Sequence, residues 1–312
     1  MHRRRFLAHA WALILGTTVG WQFPAPAAAN KRRTPKNRKE PYQLALIIDD
    51  IGYSQQRANR FLALDLPLTF SILPQLPNST NLARTIQGHN HEIMLHQPME
   101  PFNRRLDPGP GAIYVKDPAQ RITRTLLDNL NTNPLAIGVN NHMGSRFTAN
   151  SGKIEAALKV IKDQGLYFVD SVTSPRSVAH QTACNLGLSS SYNRFFIDLV
   201  VRESSIYNSL VRLEGSARKH GYAIGIGHPH PATARALGRF ARTHAAKEYR
   251  WAYVSDIIRS PADQRPKSPA VENRFPRKPA KAAQPALKKP QPKIPVHKKP
   301  AHNYNWFYKN AI

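Results

Sequence analysis

Eight short apolar runs punctuate the middle of the chain, at residues 44–48, 68–73, 92–95, 136–139, 167–169, 195–197, 223–226 and 251–254. They lack a strict apolar/polar alternation, and near-continuous apolar strands are what a parallel sheet covered on both faces requires. Helical patterns lie between them. Asp117-Pro118 offers an N-cap and a first-turn proline for a helix over 117–130, and Ser151 opens another with Ile154, Leu158 and Ile161 on one face. Helices over 204–220 and 231–245 complete the alternation. Seven or eight βα units over residues 42–258, with no repeat of fixed period, predict an α/β fold that is either a barrel or a doubly wound sheet.

The two ends of the chain read differently. Arg3-Arg4-Arg5 precedes an apolar stretch over 6–23, and Ala27-Ala28-Ala29 follows it. A charged n-region, an apolar core and a small-residue cleavage site have the layout of a secretory signal peptide, so 1–29 is expected to be removed and the mature chain to start near Asn30. The alternative is an uncleaved anchor, for which a stretch interrupted by His9, two Gly and two Thr is short. Arg3-Arg4-Arg5-Phe6-Leu7 also resembles the twin-arginine export pattern. Residues 30–41 read as a basic linker. From Pro261 to Pro300 the chain is Lys, Pro and Ala with ten Pro, so 259–312 is expected to be a disordered basic tail with polyproline II character. The aromatic cluster Tyr304, Trp306, Phe307 and Tyr308 ends it.

Charge sharpens this division. The formal net charge of +26 splits into +8 for 1–41, +7 for 42–258 and +11 for 259–312. The excess therefore sits on two arms around a moderately charged domain, which argues against a nucleic-acid-binding core and for a tail that meets anionic envelope polymers. The single Cys184 excludes an intramolecular disulfide framework and a cysteine-rich zinc module.

In barrels and open α/β sheets ligands bind at the carboxyl ends of the strands. Polar residues directly after the apolar runs are thus the candidates for chemistry. They are Asp49 and Asp50 after the first run, His96 and Glu100 after the third, Asn140, Asn141 and His142 after the fourth, Asp170 and Ser171 after the fifth, Asp198 after the sixth, and His228 and His230 after the seventh. Asp170 and Asp198 read equally well as N-caps of following helices. Two adjacent Asp and three His converging on one mouth contain the one-carboxylate, two-imidazole set of an open zinc site.

Six ordered blocks, LALIIDDIGYS (44–54), TFSILP (69–74), HEIMLHQPMEP (91–101), GVNNHMGSRFT (138–148), YFVDSVTS (167–174) and AIGIGHPHP (223–231), resemble the divergent branch of the polysaccharide deacetylases, carbohydrate esterases of the NodB-like fold. The resemblance covers 43–258 and implies a (β/α) barrel-like fold. It also implies a general base at Asp49, metal ligands at Asp50 and His96, and an acid at His228. The main branch has a second ligand histidine four residues after the first, where this chain has Glu100. His142, at the end of the next strand, is the nearest substitute, and the third ligand stays open between His142 and Glu100. The Arg-Pro-Tyr type motif of the main branch has no counterpart. Neighbours in a strand point to opposite faces, so Asp49 and Asp50 serve one site only if the chain turns there, and Gly52 permits that turn.

Two functions are expected from this reading. One is a metal-dependent hydrolase, with zinc the expected ion, removing acetyl groups from an envelope glycan in the periplasm or cell envelope. The other is a non-catalytic carbohydrate-binding or regulatory protein on the same fold. Specific nucleic-acid binding is not expected, since no reading motif lies inside the domain. Oligomeric state leaves no mark in the sequence.

Overall fold

The computed structural model describes residues 41–244 and 249–258. The signal peptide, almost all of the basic linker and the tail fall outside them. Nine strands and eight helices are described: β1 (Tyr42–Ile51), α1 (Gln55–Leu62), β2 (Thr69–Ile72), α2 (Ser79–Gly88), β3 (Glu92–Met99), α3 (Ala119–Thr132), β4 (Gly138–Met143), α4 (Ser151–Asp163), β5 (Tyr167–Asp170), α5 (Ala179–Asn185), β6 (Ser190–Tyr192), β7 (Phe195–Phe196), α6 (Glu203–His220), β8 (Tyr222–Gly227), α7 (Pro231–Thr243), β9 (Tyr249–Trp251) and α8 (Val254–Ile258).

All described pairings are parallel, in the order β6-β5-β4-β3-β2-β1-β8-β7, with β9 added to the start of β1. The two ends of this order adjoin in sequence. After β6 pairs with β5, the Asn193 N–H donates to Asp170 O and the Arg194 N–H to Ile224 O, and β7 then pairs with β8. One segment thus steps from one sheet edge to the other and brings the two together, giving a barrel-like α/β fold, which is one of the two arrangements the apolar runs leave open and the one the resemblance implies.

Period-2 alternation sorts the strand residues. Leu44, Leu46, Ile48, Phe70, Ile72, Ile93, Leu95, Val139 and Phe168 pack with helix residues such as Phe61, Leu82, Leu126 and Ile154 in the larger core cluster. Ala45, Ile47, Met94, Val169, Ile224 and Ile226 form a second cluster inside the barrel. Below it, buried Glu92 accepts hydrogen bonds from Thr69 Oγ1 and Tyr167 Oη, both at 2.8 Å, and lies 3.3 Å from the Ser255 N–H at the start of α8. Burial and the Glu92 carboxylate drive the Tyr167 phenol well above its ordinary pKa. Above the inner cluster, the next inward positions carry Asp49, Ser71, His96 and Asn140, all buried. The alternation that builds the barrel therefore stacks a polar layer at the carboxyl ends of β1 to β4.

Gly138 lets Tyr167 fill the barrel floor, since a Cβ there would lie 2.3 to 2.7 Å from ring atoms of Tyr167. Gly138→Ala is expected to destabilise the domain by about 3 kcal/mol, at the upper end for overpacking, because the displaced ring also loses Glu92. Chemical denaturation measures this.

Several sequence expectations shift. The last apolar run divides: β9 ends at Trp251, and Val254 opens α8. β3 and β4 run on to Met99 and Met143, because their polar residues still pair, Pro98 with His142 among them. The α3 N-cap is Pro118, while the Asp117 carboxylate turns back to accept the Tyr114 N–H and pairs with Arg121. Helices α1, α2 and α5 and strand β6 had no counterpart among the expected elements. Of the eight residues of α1, only Ala58 and Phe61 are buried, too few to show as a periodic stripe.

Candidate metal centre and active site

The local event that makes the site is a break in register on β1. Ile48 pairs with Phe70 and Ile51 with Ile72, so three steps on β1 match two on β2. This bulge spans Asp49 and Asp50, and Asp50 takes a left-handed φ of 57°. A bulge re-aims a side chain, so both carboxylates reach the same mouth. The turn expected at Asp49 and Asp50 is thus a bulge within the strand. Gly52 still matters: its φ is 136°, and a Cβ would meet Leu76 Cδ1 at 2.9 Å. Met143, the last residue of β4, and Val172, two residues beyond β5, also have φ of 52°. Left-handed backbone at such residues is strained, and strain of this kind collects at functional sites.

Asp50, His96 and His142 come together although 46 residues separate each from the next. Asp50 Oδ1 lies 3.2 Å from His96 Nε2 and 3.0 Å from His142 Nδ1, and the two nitrogens are 3.2 Å apart. Ligands about 2.0 to 2.1 Å from a shared cation would be separated by about 2.8 to 3.0 Å for octahedral and about 3.3 to 3.4 Å for tetrahedral angles, so the triangle has a suitable size. Asp50 Oδ1 is also buried with no hydrogen bond of acceptable geometry. A buried carboxylate oxygen left so is costly, and a divalent cation at the centre of the triangle would satisfy it. The residues present fit a metal ion.

Asn140 ties this triangle to Asp49. Its Nδ2 donates to Asp49 Oδ1 at 2.8 Å, which fixes the amide; its Oδ1 then accepts from Ser71 Oγ at 2.5 Å and from His96 Nδ1 at 2.7 Å. With the proton on Nδ1, His96 presents the lone pair of Nε2 to Asp50 and His142, the tautomer a metal ligand needs. Asp49 Oδ2 stands 3.6 Å from His96 Nε2.

His228 is held from another side. Asp198 Oδ2 accepts the His228 N–H at 2.6 Å and the Thr233 hydroxyl at 2.8 Å, and Asp198 Oδ1 is 2.9 Å from His228 Nδ1. Asp198 is thus the partner that orients His228. Asp170 is not the N-cap it could be read as, since Val178 holds that position at α5; its carboxylate accepts from the Ser177 hydroxyl and, from outside the helix, the His180 N–H. Glu100 lies elsewhere: Oε2 accepts the Val115 N–H at 2.7 Å, and Oε1 pairs with Arg146 at 3.6 Å. His142, rather than Glu100, shares the triangle with Asp50 and His96.

Electrostatics separate the roles. Burial raises the Asp49 carboxyl above its ordinary pKa, against the pull of His96 and His228. Burial also works against Asp50, but His142 and His96 outweigh it and hold that carboxyl well below the usual range. For His228 burial opposes the charged form, yet Asp198, helped by Asp50 and Asp49, raises the imidazole to about 9. A raised histidine pKa stabilises the fold fully below about pH 6.5, and the contribution is lost as pH rises through about 9. In metal-free protein, stability is therefore expected to fall by on the order of 3 kcal/mol across that window, and His228→Gln to flatten the fall; thermal melts at stepped pH measure both.

Comparison with known proteins places this architecture. An Escherichia coli K12 protein described as uncharacterized protein YibQ is 33% identical over 201 residues, which are 62% of this chain and 61% of that protein. A Haemophilus influenzae Rd protein is 30% identical over 201 residues, 62% of this chain and 69% of its own length. The chain thus spans less than two thirds of the E. coli relative. The crystal structure of an uncharacterized protein from Agrobacterium tumefaciens C58 matches with a TM-score of 0.64 at 26% identity, covering 72% of this chain and 92% of that one. Residues 46–258, which contain every side chain of the site, match the divergent polysaccharide deacetylases, and the chain belongs to that family.

Proposed function

We propose that this protein is a metal-dependent hydrolase that removes acetyl groups from an envelope polysaccharide. The observation that carries the reading is the convergence of Asp50 Oδ1, His96 Nε2 and His142 Nδ1, flanked by Asp49 and His228, in a chain of this family. Bound by those three atoms, a divalent cation, with zinc expected for two imidazoles and one carboxylate, supplies Lewis-acid activation of water and of the acyl carbonyl. Asp49, its Oδ1 held by Asn140, accepts a proton at Oδ2 as water attacks the acetyl carbonyl. His228, protonated near neutrality and oriented through Nδ1 by Asp198, gives a proton from Nε2 to the departing amine or alcohol. The export signal expected over 1–29 and the basic tail over 259–312 support an envelope location and contact with anionic polymers there.

Acetate release from a panel of N- and O-acetylated glycans tests the proposal. The metal-loaded protein is expected to release acetate from at least one of them, and chelation to stop it. Glycan binding without acetate release by metal-loaded protein overturns it in favour of a non-catalytic carbohydrate-binding role.

A further inference from the structure

A cleft of about 310 Å³ opens between the loop after β3 and the loop after β4. Glu100, Arg104, Tyr114, Lys116 and Arg146 supply its polar wall, with Leu106 among the apolar residues beneath. Three cations thus face one carboxylate. That carboxylate is already committed, by Oε2 to the Val115 N–H and by Oε1 to Arg146, so it positions Arg146 and does not neutralise the cleft. Lys116 Nζ lies 5.8 Å from the centroid of the Tyr114 ring. Among the described residues, neither Arg104 nor Lys116 has a carboxylate at ion-pair distance. Neighbouring Asp117 is occupied by the Tyr114 N–H and Arg121, and Asp107 accepts the Gly109 N–H.

The cleft is anchored to the strands that carry two of the proposed metal ligands. β3 and β4 pair as Pro98 with His142 and Met99 with Met143, and the next residue, Glu100, accepts the N–H groups of Arg146 and Phe147 at 3.1 Å. Four residues of chain separate His142 from Arg146, a span of at most about 14 Å. An acyl group at the metal centre and a charged group in the cleft can therefore belong to one oligosaccharide. Arginine forks bind carboxylate and phosphate oxygens in pairs, and cations within low-dielectric walls concentrate the field.

We propose that this cleft binds an anionic substituent, a carboxylate or a phosphate ester, on a sugar adjoining the one that loses its acetyl group, so that the substrate is an acidic glycan. The inference rests on the deacetylase reading and adds the substrate class to it.

Calorimetry on the full chain at physiological ionic strength tests it with three N-acetylated oligosaccharides of equal length: neutral, uronate-bearing and phosphate-bearing. The parent is expected to bind at least one anionic form about tenfold more tightly than the neutral one, and the tighter of the two identifies the group. The double variant Arg104→Gln/Lys116→Gln is expected to bind all three within about twofold of one another, with an unchanged thermal midpoint. The basic arms and Arg146 are identical in both proteins, so a preference that survives undiminished in the double variant does not come from Arg104 or Lys116 and overturns the proposal. Equal binding of all three by the parent, or binding of none, overturns it as well. Acetate release without an anionic preference removes the cleft proposal alone. An anionic preference without acetate release removes the deacetylase reading alone.

Discussion

Purified protein is expected to carry about one zinc ion per chain, and His96→Ala or His142→Ala to bring that to near zero. Each substitution leaves two protein ligands from a triangle whose sides measure 3.0 to 3.2 Å. Two ligands seldom retain an ion against solvent, and acetate release should fall to background with the metal. Glu100→Ala is the informative control. Glu100 occupies the sequence position where the main branch carries its second ligand histidine, yet its oxygens serve Val115 and Arg146. Metal content in that variant should match the parent. Metal lost by Glu100→Ala but kept by His142→Ala would show that the ligand set is wrong. Zinc added back to the histidine variants should also fail to raise their melting temperature, whereas the parent stripped of metal should regain it, since a ligand that binds only the folded state stabilises it by mass action.

Much of the fold was legible because buried parallel strands leave near-continuous apolar runs, and all eight runs overlap a described strand of the parallel sheet. Where the reading fell short, the missing information was long-range. β6 carries Ser190, Ser191 and Tyr192, with no apolar run, and exists because the chain must step from β5 to β8 there. That Asp50, His96 and His142 lie at the carboxyl ends of strands around one mouth was legible from the order of runs and helices. The bulge that brings Asp50 beside Asp49 was not, because it is a mismatch of register between two strands and leaves no local residue pattern. Asp198 could be read as a helix cap because that is what an Asp after a short strand often does; only its contact with residue 228, 30 positions away, assigns it to the site. Asn140 lay inside a recognised block with no role, since an amide that bridges two partners is visible only once both partners are in place.

Asn140→Ala is expected to lower kcat for acetate release by about 10- to 100-fold and to weaken metal retention, while Asp49→Ala keeps the metal and lowers kcat by about 10²- to 10⁴-fold. The difference follows from what each side chain touches. Asp49 is the proposed proton acceptor and lies outside the ligand triangle. Asn140 acts through others: its Nδ2 holds Asp49 Oδ1, and its Oδ1 holds the His96 tautomer that frees Nε2 for the metal. Asn140→Asp separates this positioning role from mere packing. A carboxylate beside Asp49 adds a like charge to a group already raised by burial, so the Asp49 pKa rises further. The base must be deprotonated to act, and the acidic limb of the pH–rate profile should therefore move to higher pH. A packing defect would lower the whole profile without moving it. In the double variant Asp49→Ala/Asn140→Ala the two losses in kcat should not multiply, because most of what Asn140 contributes to proton transfer disappears with Asp49. Full activity, full metal content and an unshifted acidic limb in both Asn140 variants would remove Asn140 from the mechanism and leave Asp49 positioned by the β1 bulge alone.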